Sequence, residues 1–145
     1  MITGLDANIV CYILDDAYPE HETAKNLLHQ LTPENKIALN PTTIHEAYHT
    51  LVRSQKWLPE EAADALLTLI SMPNTEFYNQ TKKISTIALN IAVEYKLGGR
   101  DSLIVANFLA NNTPIMYTHD NGLLKHQKIT HKNTTLTIKD PLNEK

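Results

Sequence analysis

Short apolar segments alternate with longer segments of helical periodicity along nearly the whole chain. Residues 2–5, 36–39, 75–78, 114–117 and 136–138 read as strands, each bounded by turn-forming or polar residues. Between them, residues 8–14, 20–31, 42–54, 59–72, 82–95 and 100–111 repeat their apolar positions at helical spacing, and 121–125 is a short turn or helix. The stripe of Ile44, Ala47, Tyr48, Leu51 and Val52 is one instance; Ile84, Ile87, Ala88, Ile91, Ala92 and Tyr95 is another. Strands that alternate with helices must be joined by right-handed crossovers, which build a parallel sheet covered on both faces. The expected fold class is therefore α/β, a three-layer α/β/α sandwich around a parallel sheet of about five strands. The helix at 100–111 is apolar nearly all round (Leu103, Ile104, Val105, Phe108, Leu109) and is expected to be buried against that sheet.

A chain of 145 residues fits one domain with a sizeable core. That domain is expected over 1–140, with 141–145 a flexible tail. The net charge of −3 argues against gripping nucleic acid by bulk electrostatics, though not against a local basic strip. Cys11 is the only cysteine, which excludes an intrachain disulfide and a thiolate zinc cluster. Its apolar neighbours make it a small core residue. No apolar run approaches membrane-spanning length and no signal-like segment opens the chain, so a cytoplasmic location is expected.

Four acids deserve separate treatment, and each has a local explanation. Asp6 ends the first strand and can cap the following helix. Asp101 follows Gly98, Gly99 and Arg100 and can do the same, with one of the glycines stopping the preceding helix in a left-handed turn. Glu46 stands three residues after Thr43, the spacing of a capping box. Asp120 sits in the turn sequence Asp120-Asn121-Gly122.

Their joint placement says more. In a doubly wound sheet, strands end where the following helices begin, and that edge is where ligands bind. All four acids fall on it, from four separated segments. Like charges 4 Å apart repel by about 4 kcal/mol at an effective dielectric of 20. Clustered carboxylates must take up protons or find a cation. An all-oxygen donor set without a thiolate suits a hard divalent ion, Mg²⁺ or Mn²⁺.

Four stretches carry a resemblance: GLDANIVCYILD, TTIHEAYHTL, GGRDSLIVANFLA and YTHDNGL. Each is weak alone, but the ordered set resembles the PIN-domain ribonucleases, particularly the toxins of bacterial toxin–antitoxin pairs. The resemblance implies a five-stranded parallel sheet between helices. It implies that Asp6, Glu46, Asp101 and Asp120 form the acidic quartet that holds Mg²⁺ or Mn²⁺. It assigns Asn8 and Thr118 supporting roles at the metal site. The implied reaction is metal-assisted hydrolysis of an RNA phosphodiester, with water as the attacking group. An antitoxin protein and a homodimer are the implied partners.

Further residues are candidates for substrate contact. Arg100 can clamp a phosphate or pair with a nearby acid. His49 and Arg53 share a helix face with Glu46, and His119 adjoins Asp120. Lys82, Lys83, Lys96, Lys125, Lys128 and Lys132 can line an RNA path or simply solvate the surface. Two other functions fit a strand-end acid: a metal-dependent phosphatase or phosphotransfer domain, and a non-catalytic RNA-binding module on the same fold. The first wants a second Asp where Asn8 stands, or an adjacent acidic pair after the first strand.

Overall fold

The computed structural model describes residues 1–143. In chain order the elements are β1 (Ile2–Leu5), α1 (Ala7–Leu14), α2 (His21–His29), β2 (Lys36–Leu39), α3 (Pro41–Arg53), α4 (Pro59–Ser71), β3 (Thr75–Phe77), α5 (Lys82–Tyr95), α6 (Gly99–Ala110), β4 (Ile115–Tyr117), α7 (Asn121–Leu124), β5 (Lys128–His131) and β6 (Thr134–Lys139). One six-stranded sheet runs in the order β3-β2-β1-β4-β6-β5. Its first five strands are parallel, as the alternating pattern requires. One apolar cluster joins α1, α2, α3 and α4 to one face of the sheet, and a second joins α5 and α6 to the other. The result is the expected three-layer sandwich.

The sixth strand departs from the expected sheet of about five. β5 pairs antiparallel with β6, from Lys128 opposite Thr137 to His131 opposite Thr134. Its only fully buried side chain is Ile129. One inward residue in a four-residue edge strand leaves no alternation to read.

Two helix ends also differ from expectation. α5 stops at Lys96, which takes the left-handed conformation itself at φ 57°. Gly98 is extended at φ −66° and opens α6. The cap of α3 lies ahead of Thr43: the Asn40 side chain accepts from the Thr43 backbone N–H at 3.0 Å, and Pro41 occupies the first turn. Thr43 and Glu46 therefore form no capping box, and Glu46 stands in the second turn of α3.

α6 is buried from Ile104 to Leu109, as its composition requires. Within it, the Asn107 Nδ2 donates to the Tyr78 and Asn79 carbonyls at 3.0 and 3.3 Å, tying the crossover after β3 to α6. Against the sheet, Phe108 lies so close to β1 that a Cβ on Gly4 would stand 2.6 Å from its ring. The opposite layer is fastened by Asp15. Burial alone would raise its carboxyl, but donors from Ala17 N (2.9 Å), Gln55 Nε2 (2.9 Å) and Trp57 Nε1 (3.1 Å) outweigh it and hold the group below the usual carboxylate range. Trp57 and Tyr48 both pack against this layer. Cys11 is a core residue, 2 % exposed.

Of the segment expected as a flexible tail, Leu142 packs against the first core cluster, and Glu144 and Lys145 lie outside the described residues. Among the described residues, no helix is long and apolar enough to cross a membrane.

The close approach of Phe108 predicts that Gly4→Ala destabilises the protein by about 1–3 kcal/mol, the scale of overpacking a filled core. Urea denaturation of the variant beside wild type checks this; equal midpoints would show that the ring yields freely.

Candidate functional site

Parallel strands place their carboxyl ends on one edge, and the helices that follow them start there. Asp6 directly follows β1 and caps α1, its Oδ1 accepting from the Ala7 N–H at 2.7 Å. Asp120 follows β4 and caps the short α7, its Oδ1 accepting from the Gly122 N–H at 2.9 Å. Both local explanations therefore hold, and in both residues a second carboxylate oxygen is free of the cap. Asp101 is different: α6 is capped by Gly98, and Asp101 sits in its first turn without capping it. The capping roles expected of Asp101 and Glu46 are absent, so helix geometry does not account for a carboxylate at either position.

Asp6, Glu46, Asp101 and Asp120 line one cavity of about 240 Å³, together with Asn8. Thr118, fully buried, braces two of these acids. Its hydroxyl donates to Asp6 Oδ2 at 2.7 Å and accepts from the Asp120 backbone N–H at 3.1 Å. The Asn8 Nδ2 donates to the Thr118 hydroxyl oxygen at 3.5 Å. One side chain thus fixes Asp6 relative to the start of the Asp120 turn.

Electrostatics registers the crowding. The Asp6 carboxyl is pushed up to about 6, chiefly by burial; hydrogen bonds from Thr118 and Ala7 oppose the shift, and the charges of Asp101 and Glu46 add to it. Burial also raises Asp101, reinforced by Asp120 and opposed by Arg100. Burial raises Glu46, opposed by Arg100 and reinforced by Asp101 and Asp120. Arg100 pairs with Glu46 at 3.6 Å while remaining 73 % exposed, so it is tied to an acid and still free to reorient.

The donor chemistry fits a hard divalent cation: acids that are costly to ionise together gain most from a positive charge among them. Asn8 adds an oxygen, Oδ1, that is buried without a hydrogen-bond partner. Cys11 also lines the cavity; burial pushes its thiol up to about 12, so it adds no negative charge to the acids. Among the described residues, no three His, Cys, Asp or Glu side chains converge on one coordination point. The acids share a cavity without being drawn to ligand distance of a common centre, so the fit rests on the chemistry of the donors.

The remaining candidates separate. His49 and Arg53 are exposed on α3 and do not line the cavity, to which that helix contributes Thr50 beside Glu46. His119 turns to Asp140, with Nδ1 2.8 Å from its Oδ2. Of the six lysines, Lys82, Lys83 and Lys132 gather with His131 around a different cleft, near the turn between β5 and β6. Tyr12 and Tyr18 line the acidic cavity and were not singled out from the sequence. Tyr12 sits inside the first motif, but nothing in its spacing distinguishes a wall tyrosine from a core one.

The raised Asp6 carboxyl has a consequence for stability. Between about pH 4 and 6 the folded state keeps a proton that the unfolded chain has lost, so the contribution of this group to stability falls as pH rises through that window. In EDTA, wild type should lose stability relative to Asp6→Asn by on the order of 2–3 kcal/mol between pH 4 and 7. Paired urea titrations across that range check it; a constant difference would contradict the buried, charge-crowded setting.

The chain matches the family model for the PIN domain over residues 4–129. No curated protein sequence matches it. Among solved structures it is similar to VapC20 of Mycobacterium tuberculosis, a sarcin–ricin loop cleaving toxin, with a TM-score of 0.71 and 16% identity over 86% of this chain and 94% of that one. It is similar to VapBC2 from Rickettsia felis, solved bound to a DNA fragment from their promoter (TM-score 0.66, 21% identity, 86% and 92% covered). VapBC-1 from nontypeable Haemophilus influenzae gives a TM-score of 0.65 at 18% identity, with 97% and 98% covered. At such identities these likenesses bear on the fold. The family match spans every element that lines the acidic cavity, and the chain belongs to the PIN-domain family.

Proposed function

We propose that this chain is a Mg²⁺- or Mn²⁺-dependent endoribonuclease and the toxin of a toxin–antitoxin pair. The single observation that carries the reading is the cavity itself: four acids from four separated segments, two of them without a capping role, share one polar cleft in a PIN-domain protein. The toxin and antitoxin parts draw further support from the similar structures, among them VapBC-1 and a toxin–antitoxin complex from Klebsiella pneumoniae. A cytoplasmic location belongs to the same reading.

In this proposal Asp6, Glu46, Asp101 and Asp120 hold the divalent ion, with Asn8 and Thr118 supporting them. Once bound, the ion supplies positive charge against the phosphate oxygens and acidifies a water. Thr118 keeps Asp6 aligned, leaving its orientation independent of the ion. The raised carboxyls of Asp6 and Glu46, caused chiefly by burial, are relieved when a cation enters among them. Arg100 exchanges Glu46 for a phosphate oxygen, a move its exposure permits. Without a cation the acidic wall repels a phosphodiester. His49 and Arg53, exposed further along α3, are assigned RNA contacts beyond the cleft in the same proposal. Self-association as a homodimer, also proposed, would draw on exposed Leu67, Leu89 and Val93.

Purified protein should cleave single-stranded RNA in Mn²⁺ and stop in EDTA. Asp101→Asn should lower cleavage by at least about 100-fold, the scale of losing one electrostatic stabiliser of the transition state, while leaving the metal-free protein no less stable. Cleavage assays and melts in EDTA test both halves; full activity in the variant would remove Asp101 from the site. Binding without cleavage in Mn²⁺ would favour a non-catalytic RNA-binding module. Titrating Mn²⁺ should also raise the melting temperature of wild type and not that of Asp101→Asn, a readout independent of turnover.

A further inference from the structure

One wall of the acidic cavity is aromatic. Tyr12 and Tyr18 line it beside the carboxylates. Their rings meet edge to face, with centroids 4.9 Å apart and planes at 74°. The His119 ring meets Tyr12 in the same manner at 5.9 Å and 76°. The group is held from behind: Asp140 fixes His119, and the His21 Nδ1 lies 2.8 Å from the Tyr12 carbonyl oxygen, securing the end of α1. Both tyrosines pack partly against the first core cluster and remain partly exposed. Core packing explains the covered part of each ring. It does not explain why apolar ring surface is kept at a cleft that four carboxylates also line, since exposing that surface to water is unfavourable.

Size points to what the rings meet. About 240 Å³ is less than the roughly 300–1,000 Å³ of pockets that enclose a small organic ligand. A phosphate group fits inside, whereas the base of the same nucleotide must lie at the mouth, along a wall. Unpaired bases offer a π face of their own, and stacking on tyrosine is a common means of holding single-stranded RNA.

We propose that Tyr12 and Tyr18, backed by His119, form a stacking subsite for the base of the nucleotide whose phosphate enters the acidic cavity. The proposal rests on the ribonuclease reading and extends it. Stacking tolerates any base, so the subsite selects unpaired nucleotides over paired ones without reading a sequence. Tyr12 and Tyr18 act here as positioning residues for the scissile phosphate.

The test compares adenosine 5′-monophosphate with ribose 5-phosphate in Mg²⁺, two probes that share phosphate and sugar and differ by the base. Wild type should bind the nucleotide about 10-fold more tightly, within the range that stacking one base supplies. Tyr12→Leu and Tyr18→Leu should bring the ratio close to one with little change for ribose 5-phosphate, and Tyr12→Phe should restore it. Should one leucine variant fail to fold, the other and the wild-type ratio decide. Equal binding of both probes by wild type, or an undiminished ratio in a folded leucine variant, would overturn the subsite. RNA cleavage in Mn²⁺, measured alongside, separates the two ideas: cleavage with equal probe binding sinks the subsite alone. Base-dependent binding without any cleavage keeps the tyrosines as a base-binding wall and sinks the ribonuclease reading.

Discussion

A buried carboxylate surrounded by other carboxylates stays in place only if the fold holds it there. Asp6 meets that condition twice, through the Ala7 N–H at the start of α1 and through the Thr118 hydroxyl at the end of β4. These bonds lower its carboxyl, burial and the neighbouring charges raise it, and the second pair prevails. The site is thus a region where the protein tolerates unfavourable electrostatics, offset by capping and by the two apolar clusters on either side of the sheet. Buried, mutually repelling acids are common where chemistry is done, because the same field that disfavours them favours an incoming cation.

The architecture was largely legible in the sequence, since periodicity reports which side chains face a core. α6 is the clearest case: an apolar run with no polar face can only be an inner helix, and it is. What escaped were features set by single residues. β5 buries one side chain and so has no pattern. Lys96 takes the left-handed turn although two glycines stand just downstream, and a Cβ at Gly98 or Gly99 would meet nothing within 4 Å, so space there does not demand glycine. Asn40, followed by Pro41 at the first helical position, caps α3 by accepting from the Thr43 N–H, so the helix starts before Thr43 and leaves it no capping role.

The four acids were singled out by topology, which fixes the edge a residue occupies but not where its side chain ends. The structure gathers Asp6, Glu46, Asp101 and Asp120 around one cavity without drawing three of them to a single point. The tyrosines show the opposite limit. Tyr12 and Tyr18 follow Asp6 within twelve residues, yet their place on the cavity wall depends on an edge-to-face contact that no spacing announces. Arg100 fell between its two sequence readings: it pairs with Glu46 and remains mostly exposed.

The position of β6 has an effect during synthesis. It follows β5 in the chain, yet it lies inside the sheet, between β4 and β5. Until residues 134–139 leave the ribosome, the outer edge of β4 has no neighbour, and the Thr118 N–H lacks the Lys139 carbonyl that it later meets at 3.0 Å. Thr118 carries the hydroxyl that aligns Asp6. A chain made only through residue 133 therefore carries all four acids before it carries the strand that steadies them, and the cleft is complete only once residues 134–139 pair with β4.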